Sequence, residues 1–152
     1  MSLKIPPPIV ALIVLFAMKL ARTIPSFEYG LIELPYHRPI GYLLAAVGIL
    51  MVIVSNRQFH RASTTVNPMR PQEASTLVTA GLFRYSRNPI YLGMALLTLA
   101  GVAISQNLLN LLLVIAFVVY ITLFQIRPEE QALRAKFGGA FDTYCERVRR
   151  WI

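Results

Sequence analysis

Residues 88–130 read NPIYLGMALLTLAGVAISQNLLNLLLVIAFVVYITLFQIRPEE, and this stretch decides the fold. It contains two apolar runs, 90–104 and 108–126, separated by the polar residues Ser105, Gln106 and Asn107. Each run approaches the roughly 20 residues with which a helix crosses a bilayer. A link this short forces the two helices into an antiparallel hairpin. Their charged flanks, Arg87-Asn88-Pro89 and Arg127-Pro128-Glu129-Glu130, must then meet at the open end, although they are far apart in sequence. Asn88 suits an N-cap and Pro89 a first helical residue. Pro128 is placed to start a new helix, with Glu129 and Glu130 in its first turn, where the helix dipole favours acids.

Working outward, two further apolar runs occupy residues 9–20 and 40–54. With their polar flanks, the four runs predict spans at about 6–22, 39–55, 89–105 and 107–126, a loop 56–88 and a tail 127–152, all in a single domain 1–152. The composition agrees. Of 152 residues 56% are hydrophobic and 14% charged, and 15 Lys+Arg against 7 Asp+Glu give a net charge of +8. A soluble domain needs about a quarter of its residues charged, and a disordered chain needs far less apolar sequence. Ala21-Arg22-Thr23 offers no small-residue cleavage pattern and only Lys4 precedes the first run, so that run reads as a retained anchor.

Twelve basic residues fall on one side of this topology: Lys4, five arginines of the second loop (Arg57, Arg61, Arg70, Arg84, Arg87) and six of the tail (Arg127, Arg134, Lys136, Arg147, Arg149, Arg150). Lys19, Arg22 and Arg38 fall on the other, with Glu28 and Glu33. The positive-inside bias puts both termini and the long loop in the cytoplasm. In the tail, Leu133, Phe137, Phe141, Tyr144, Val148 and Trp151 recur at helical spacing around Gly138-Gly139. They predict an amphipathic helix in two pieces lying along the membrane surface. The expected fold is thus all-α: a polytopic bundle of about four transmembrane helices plus this interfacial helix.

Several chemistries are excluded. There is no Gly-x-Gly-x-x-Gly, no Walker loop and no alternation of strands and helices. His37 and His60 fall on opposite sides of the membrane, so no metal site is expected. The basic loop lacks interleaved aromatic platforms, so nucleic acid is not an expected partner. Cys145 has no partner for an internal disulfide.

What remains is Leu77-Val78, Gly81, Arg87-x-Pro89-x-Tyr91-x-Gly93, Glu129-Glu130 and Phe137-Gly138, in this order and within a four-span pattern. From about Phe59 to the C-terminus the chain resembles the isoprenylcysteine carboxyl methyltransferase and phospholipid methyltransferase family of membrane enzymes, particularly its small bacterial members. The resemblance implies S-adenosylmethionine as methyl donor, S-adenosylhomocysteine as product, and a pocket at the cytoplasmic end of the bundle closed by the C-terminal segment. Carried over residue by residue, it implies cofactor contacts at Ser75, Thr76, Leu77, Val78, Phe83, Asn88, Pro89, Ile90, Tyr91 and Glu129. Many relatives carry His where Asn88 stands, so a titrating imidazole is not essential here. Relatives acting on prenylated proteins have more spans.

The residue chemistry points the same way. A cofactor with a carboxylate, an ammonium, ribose hydroxyls, an adenine and a sulfonium needs complementary groups in one place. Arg87 and the start of the third span suit the carboxylate. Glu129 or Glu130 suits the ammonium or ribose, and Phe83, Tyr85 and Tyr91 suit the adenine or sulfonium. Backbone groups from Leu77 to Gly81 suit the adenine edge. Glu130 is also spaced to pair with Arg134 at i,i+4, which leaves Glu129 the freer acid. Methyl transfer is an in-line displacement that asks chiefly for alignment and exclusion of water. Arg87 and Arg127, with Arg84, are candidates to orient an acceptor carboxylate, and Glu130 is the candidate base. With no dedicated base evident, a lipophilic or lipid-linked carboxylate is the leading acceptor, ahead of a phospholipid amine or a thiol. Two other readings remain open: an NADPH-dependent membrane reductase of the sterol-reductase type, for which the chain is short, and a non-catalytic basic membrane protein that binds anionic lipid or a partner subunit.

Overall fold

The computed structural model describes residues 5–21, 23–24, 30–62 and 73–152. Lys4, Arg22, Glu28 and Arg70, which enter the charge count above, lie outside the described residues.

Among the described residues six α-helices follow one another: α1 (Pro7–Ala21), α2 (His37–Arg61), α3 (Pro89–Ser105), α4 (Asn110–Ile121), α5 (Arg127–Phe137) and α6 (Gly139–Arg147). A 3₁₀ turn at Gly81–Arg84 precedes α3, and a π-helical turn at Thr122–Ile126 joins α4 to α5. Among the described residues there is no strand, only an isolated bridge between Leu31 and Asn107. The fold is all-helical. Two helices are long and apolar enough to cross a membrane, His37–Arg61 and the continuous Asn110–Phe137. The helices Pro7–Ala21 and Pro89–Ser105 are apolar but shorter.

Helix α3 lies at the centre, against α2, α1 and α4. Its approach to α2 depends on two glycines. A Cβ on Gly93 would lie 2.6 Å from the Gly48 carbonyl oxygen, and a Cβ on Gly48 would lie 2.6 Å from that of Gly93. Small residues that let backbones touch are the usual way apolar helices pack where the surrounding solvent is itself apolar. Val10, Val14, Met18, Met94, Phe117 and Ile121 fill the common core. The outward faces are equally apolar, with Leu12, Phe16, Leu43, Leu50, Leu112 and Ile115 exposed. Such a surface is stable in lipid and costly in water.

The predicted hairpin is present. Gln106 takes a left-handed conformation (φ 51°) and ends α3. The Asn107 side-chain oxygen accepts from the Leu109 amide at 2.9 Å, and Asn110 Nδ2 donates to Ser105 Oγ at 2.9 Å. The segment at Gly30–Ile32 covers this turn: the Gly30 carbonyl accepts from Leu108 N at 2.9 Å, and Ile32 N donates to the Gln106 carbonyl at 2.9 Å.

Helix α2 continues beyond the expected span 39–55 as far as Arg61, where Phe59 meets Phe83 edge-on with ring centroids 5.1 Å apart. One boundary differs from the sequence reading. At the other end of the hairpin, Pro128 does not begin a separate helix, because the helical path from α4 into α5 is unbroken. A proline inside an α-helix clashes with the carbonyl four residues earlier, here that of Phe124. The wider π turn at Thr122–Ile126 contains that carbonyl and absorbs the conflict.

Candidate active site

At the open end of the hairpin the chain closes around a cavity of about 110 Å³. Glu129 and Glu130 from the first turn of α5 form one wall, with Leu133 a turn further on. Arg87, Asn88, Pro89, Ile90 and Tyr91 line it where the chain enters α3. Thr76, Leu77 and Val78 and, from the 3₁₀ turn, Phe83 line it as well. Phe141 and Tyr144 of α6 and Phe59 of α2 complete the lining, together with Ala74.

Two carboxyls share this cavity in opposite electrostatic states. The Tyr91 hydroxyl donates to Glu129 Oε1 at 2.5 Å, and among the described residues no hydrogen bond reaches Oε2. The apolar part of the long helix ends at Ile126, so Glu129 stands in its charged extension. Burial pushes the Glu129 carboxyl up to about 8; the Tyr91 hydrogen bond opposes this, and the charge of Glu130 adds to it. Glu130 behaves differently. Burial alone would raise it too, but hydrogen bonds from Arg150 and Arg87 prevail and hold it below its ordinary range. Arg87 Nη2 lies 2.7 Å from Glu130 Oε1, and Arg150 Nη2 lies 2.7 Å from Oε2.

Arg87 also ties the cavity to the tail. Its Nη1 donates to the carbonyls of Val148 at 2.6 Å and Cys145 at 3.2 Å, and its backbone amide donates to the Arg149 carbonyl at 3.0 Å. Asn88 Nδ2 donates to the Arg150 carbonyl at 2.9 Å. Residues 145–150 are thereby stitched along the entry to α3. Phe141, Tyr144 and Val148 pack with Leu77 and Leu133 beneath the stitching, and Trp151 Nε1 reaches Thr122 Oγ1 at 3.3 Å.

Of the residues singled out from sequence, the cavity brings together Thr76, Leu77, Val78, Phe83, Arg87, Asn88, Pro89, Ile90, Tyr91, Glu129 and Glu130. Ser75, Gly81 and Arg127 are not in its lining. Arg127 is exposed; it precedes Glu129 by two residues, about 200° around the helix, so both cannot face the same side. Gly81 serves the backbone: its φ is +62°, and a Cβ there would collide with the Gln58 side chain. Tyr85, a candidate aromatic cover, is 76% exposed and outside the lining. Asn88 makes no side-chain cap, because its amide is directed to the Arg150 carbonyl instead. The expected Glu130–Arg134 pair is replaced as well. Glu130 turns to Arg87 and Arg150, and Arg134 pairs with Asp142 at 2.7 Å.

Phe59, Leu133, Phe141 and Tyr144 enter the lining although sequence reasoning did not assign them there. For the last three the signal exists in the apolar stripe of the tail, whose helical spacing predicts an amphipathic helix but not a cavity wall. Arg150 contributes through a backbone carbonyl as well as its guanidinium, and no sequence pattern marks a carbonyl.

Fold and site together define a class: an apolar, membrane-type helical bundle with a cavity of mixed charge and aromatic walls at the end of a helix hairpin. Within that class the chain belongs to the phospholipid methyltransferase family, whose model matches residues 36–140. An uncharacterized protein of Haemophilus influenzae (strain ATCC 51907 / DSM 11121 / KW20 / Rd) is 41% identical over 63 residues, which are 41% of this chain and the whole of that protein. No solved structure matches the chain significantly.

Proposed function

We propose that the chain is an integral membrane methyltransferase that uses S-adenosylmethionine and methylates a lipophilic or lipid-linked acceptor, with a carboxylate as the leading acceptor class. The observation that carries this reading is the Glu129 carboxyl, half-buried beside Tyr91 with an oxygen left for a ligand, in a chain whose family is one of methyltransferases. The residues suit the cofactor. Glu129 offers a partner for an ammonium or for ribose hydroxyls, Phe83 and Tyr91 offer aromatic faces, and the backbone at 76–78, outside any helix, offers edges to a purine. When bound, the cofactor supplies an electrophilic methyl group. The chain's own residues hold and align the partners and exclude water. The tail, fixed by Arg87 and Asn88, forms the cover.

Neither acid is suited to act as a strong base in the ligand-free state. Glu130 is held by two guanidinium groups, and burial shifts the Glu129 carboxyl toward its protonated form. An acceptor that arrives as a carboxylate needs no proton removal, which favours it. The family's description favours a second reading, the amine of a phospholipid headgroup. That acceptor would lose a proton, and Glu129 is the cavity carboxyl not held by arginine.

This reading treats residues 1–152 as one domain with four spans, α1 and α3 included, and the tail at the membrane surface. The exposed apolar face of α1, with Ile9, Leu12, Ile13 and Phe16, supports its contact with lipid. The charge distribution supports a cytoplasmic cavity in a bacterial inner membrane. The test is methyl labelling. Full-length protein reconstituted in bacterial lipid should transfer labelled methyl groups to a lipid-extractable product. Release of volatile methanol on alkaline hydrolysis identifies a carboxyl ester, and base-stable label identifies an amine. Absence of any labelled lipid product beyond a protein-free control contradicts the proposal.

A further inference from the structure

The wall behind the active-site cavity is shared. Tyr144 lines that cavity on one side and a second, open cleft on the other, and its hydroxyl donates to the Phe83 carbonyl at 2.7 Å to close the partition. The second cleft has a volume of about 400 Å³. Thr79 and Arg84 approach it from the segment around the 3₁₀ turn, and Thr143 and Arg147 from α6.

The sequence of α6 explains its chemistry. Ala140, Thr143, Tyr144 and Arg147 stand at i, i+3, i+4 and i+7, so they share one face of the helix. Asp142 and Glu146 fall off that face and are not in the cleft's lining, and Asp142 is already paired with Arg134. Ala140 keeps the near end of the face small. Two arginines and two threonines, all exposed, therefore line one open cleft, with no acid among its described lining residues. Among the described residues neither Arg84 nor Arg147 has a hydrogen-bond or ion-pair partner. Arginine forks match the oxygens of a phosphate in pairs, and threonine hydroxyls add single donors. Thr143 and Arg147 also lie beyond the family match, which ends at residue 140.

We infer that this cleft is a phosphate-binding site, distinct from the methyl-transfer cavity, recognised by Arg84, Arg147, Thr79 and Thr143. The Tyr144 partition keeps the bound phosphate out of the reaction cavity, so its occupant braces α6 against the 3₁₀ turn and is not the methyl acceptor. The phosphate has two possible sources, a bilayer lipid headgroup or free phosphate, and both present the same oxygens.

The test uses delipidated full-length protein in a neutral detergent, titrated at fixed ionic strength with inorganic phosphate and, separately, with dihexanoyl phosphatidate. Both probes should bind saturably. The double variant Arg84→Gln/Arg147→Gln should bind each at least tenfold more weakly, and Thr143→Val several-fold more weakly with an unchanged melting temperature. Glu129→Gln, which alters only the other cavity, should bind both probes as the unaltered chain does, so the outcome is independent of the methyltransferase reading. Phosphatidate binding at least tenfold tighter than phosphate assigns the site to a lipid headgroup, and equal affinities assign it to free phosphate. Absence of saturable binding, or wild-type affinity in both the double variant and Thr143→Val, overturns the inference.

Discussion

The Tyr91 hydroxyl and the Glu129 carboxyl meet at 2.5 Å, joining the first turn of α3 to the first turn of α5 across 38 residues of sequence. Everything between them is the hairpin. The pair therefore reports whether α3 and the long α4–α5 helix are in register, and it sets one carboxyl of the cavity apart from the other.

The first prediction concerns pH. Glu129 has a folded pKa raised to about 8, so the ligand-free folded state binds a proton that the unfolded chain releases near the ordinary value of 4.5. The stabilising effect of that proton is complete below the ordinary value and is lost as pH rises through about 8. Melting temperature measured from pH 5 to pH 8.5 should therefore fall more steeply for the unaltered chain than for Glu129→Gln. Parallel curves would remove the raised pKa from the account. Glu130, shifted downward, acts only on the acid side of this window and leaves the comparison intact.

The second prediction separates a buried ion pair from an exposed one. Arg87 and Glu130 have side chains 12% and 14% exposed, whereas Arg134 and Asp142 are 56% and 50% exposed. Removing one partner of a buried, hydrogen-bonded pair costs about 3–5 kcal/mol, and exposed pairs contribute about 0–1 kcal/mol. Arg87→Ala should destabilise the protein by roughly 3 kcal/mol and make the C-terminal residues sensitive to protease, while Arg134→Ala should do neither. Denaturation in detergent and limited proteolysis read both effects. Equal, small effects would mean that the tail is not held at Arg87.

Much of this was legible beforehand, for reasons that differ by residue. The short polar link at 105–107 forced the hairpin, and the hairpin forced Arg87 and Glu130 together, because connection length is a constraint that sequence states directly. Glu129 could be separated from Glu130 by its neighbours at i+4, although the partners of Glu130 were misassigned: Arg134 is near it in sequence, but Arg87 and Arg150 reach it through space. The positions of Arg127 and Tyr85 were not legible. The π turn before Pro128 sets the phase of Arg127 relative to the cavity and leaves no pattern in composition, and Tyr85 follows a four-residue 3₁₀ turn too short to show a side-chain period. Gly81 was read as a backbone contact for a ligand, whereas its positive φ answers to Gln58.

The third prediction tests the packing that places α3. Gly93→Ala puts a methyl group against the Gly48 carbonyl oxygen, and the same holds for Gly48→Ala against Gly93. Overpacking of this kind costs about 1–3 kcal/mol. Each variant should lower the melting temperature in detergent, and the double variant should not add fully, because both force the same two backbones apart. Full additivity would indicate that the glycines do not face one another.

The central claim is that the Tyr91–Glu129 cavity holds S-adenosylmethionine. Equilibrium binding of labelled S-adenosylmethionine to purified full-length protein tests it most directly. Loss of a hydrogen bond to a charged group is worth about 1.5–3 kcal/mol, so Glu129→Gln should weaken saturable binding by roughly 10- to 100-fold without unfolding the protein. Absence of saturable binding, or an unchanged dissociation constant in folded Glu129→Gln, would contradict the account.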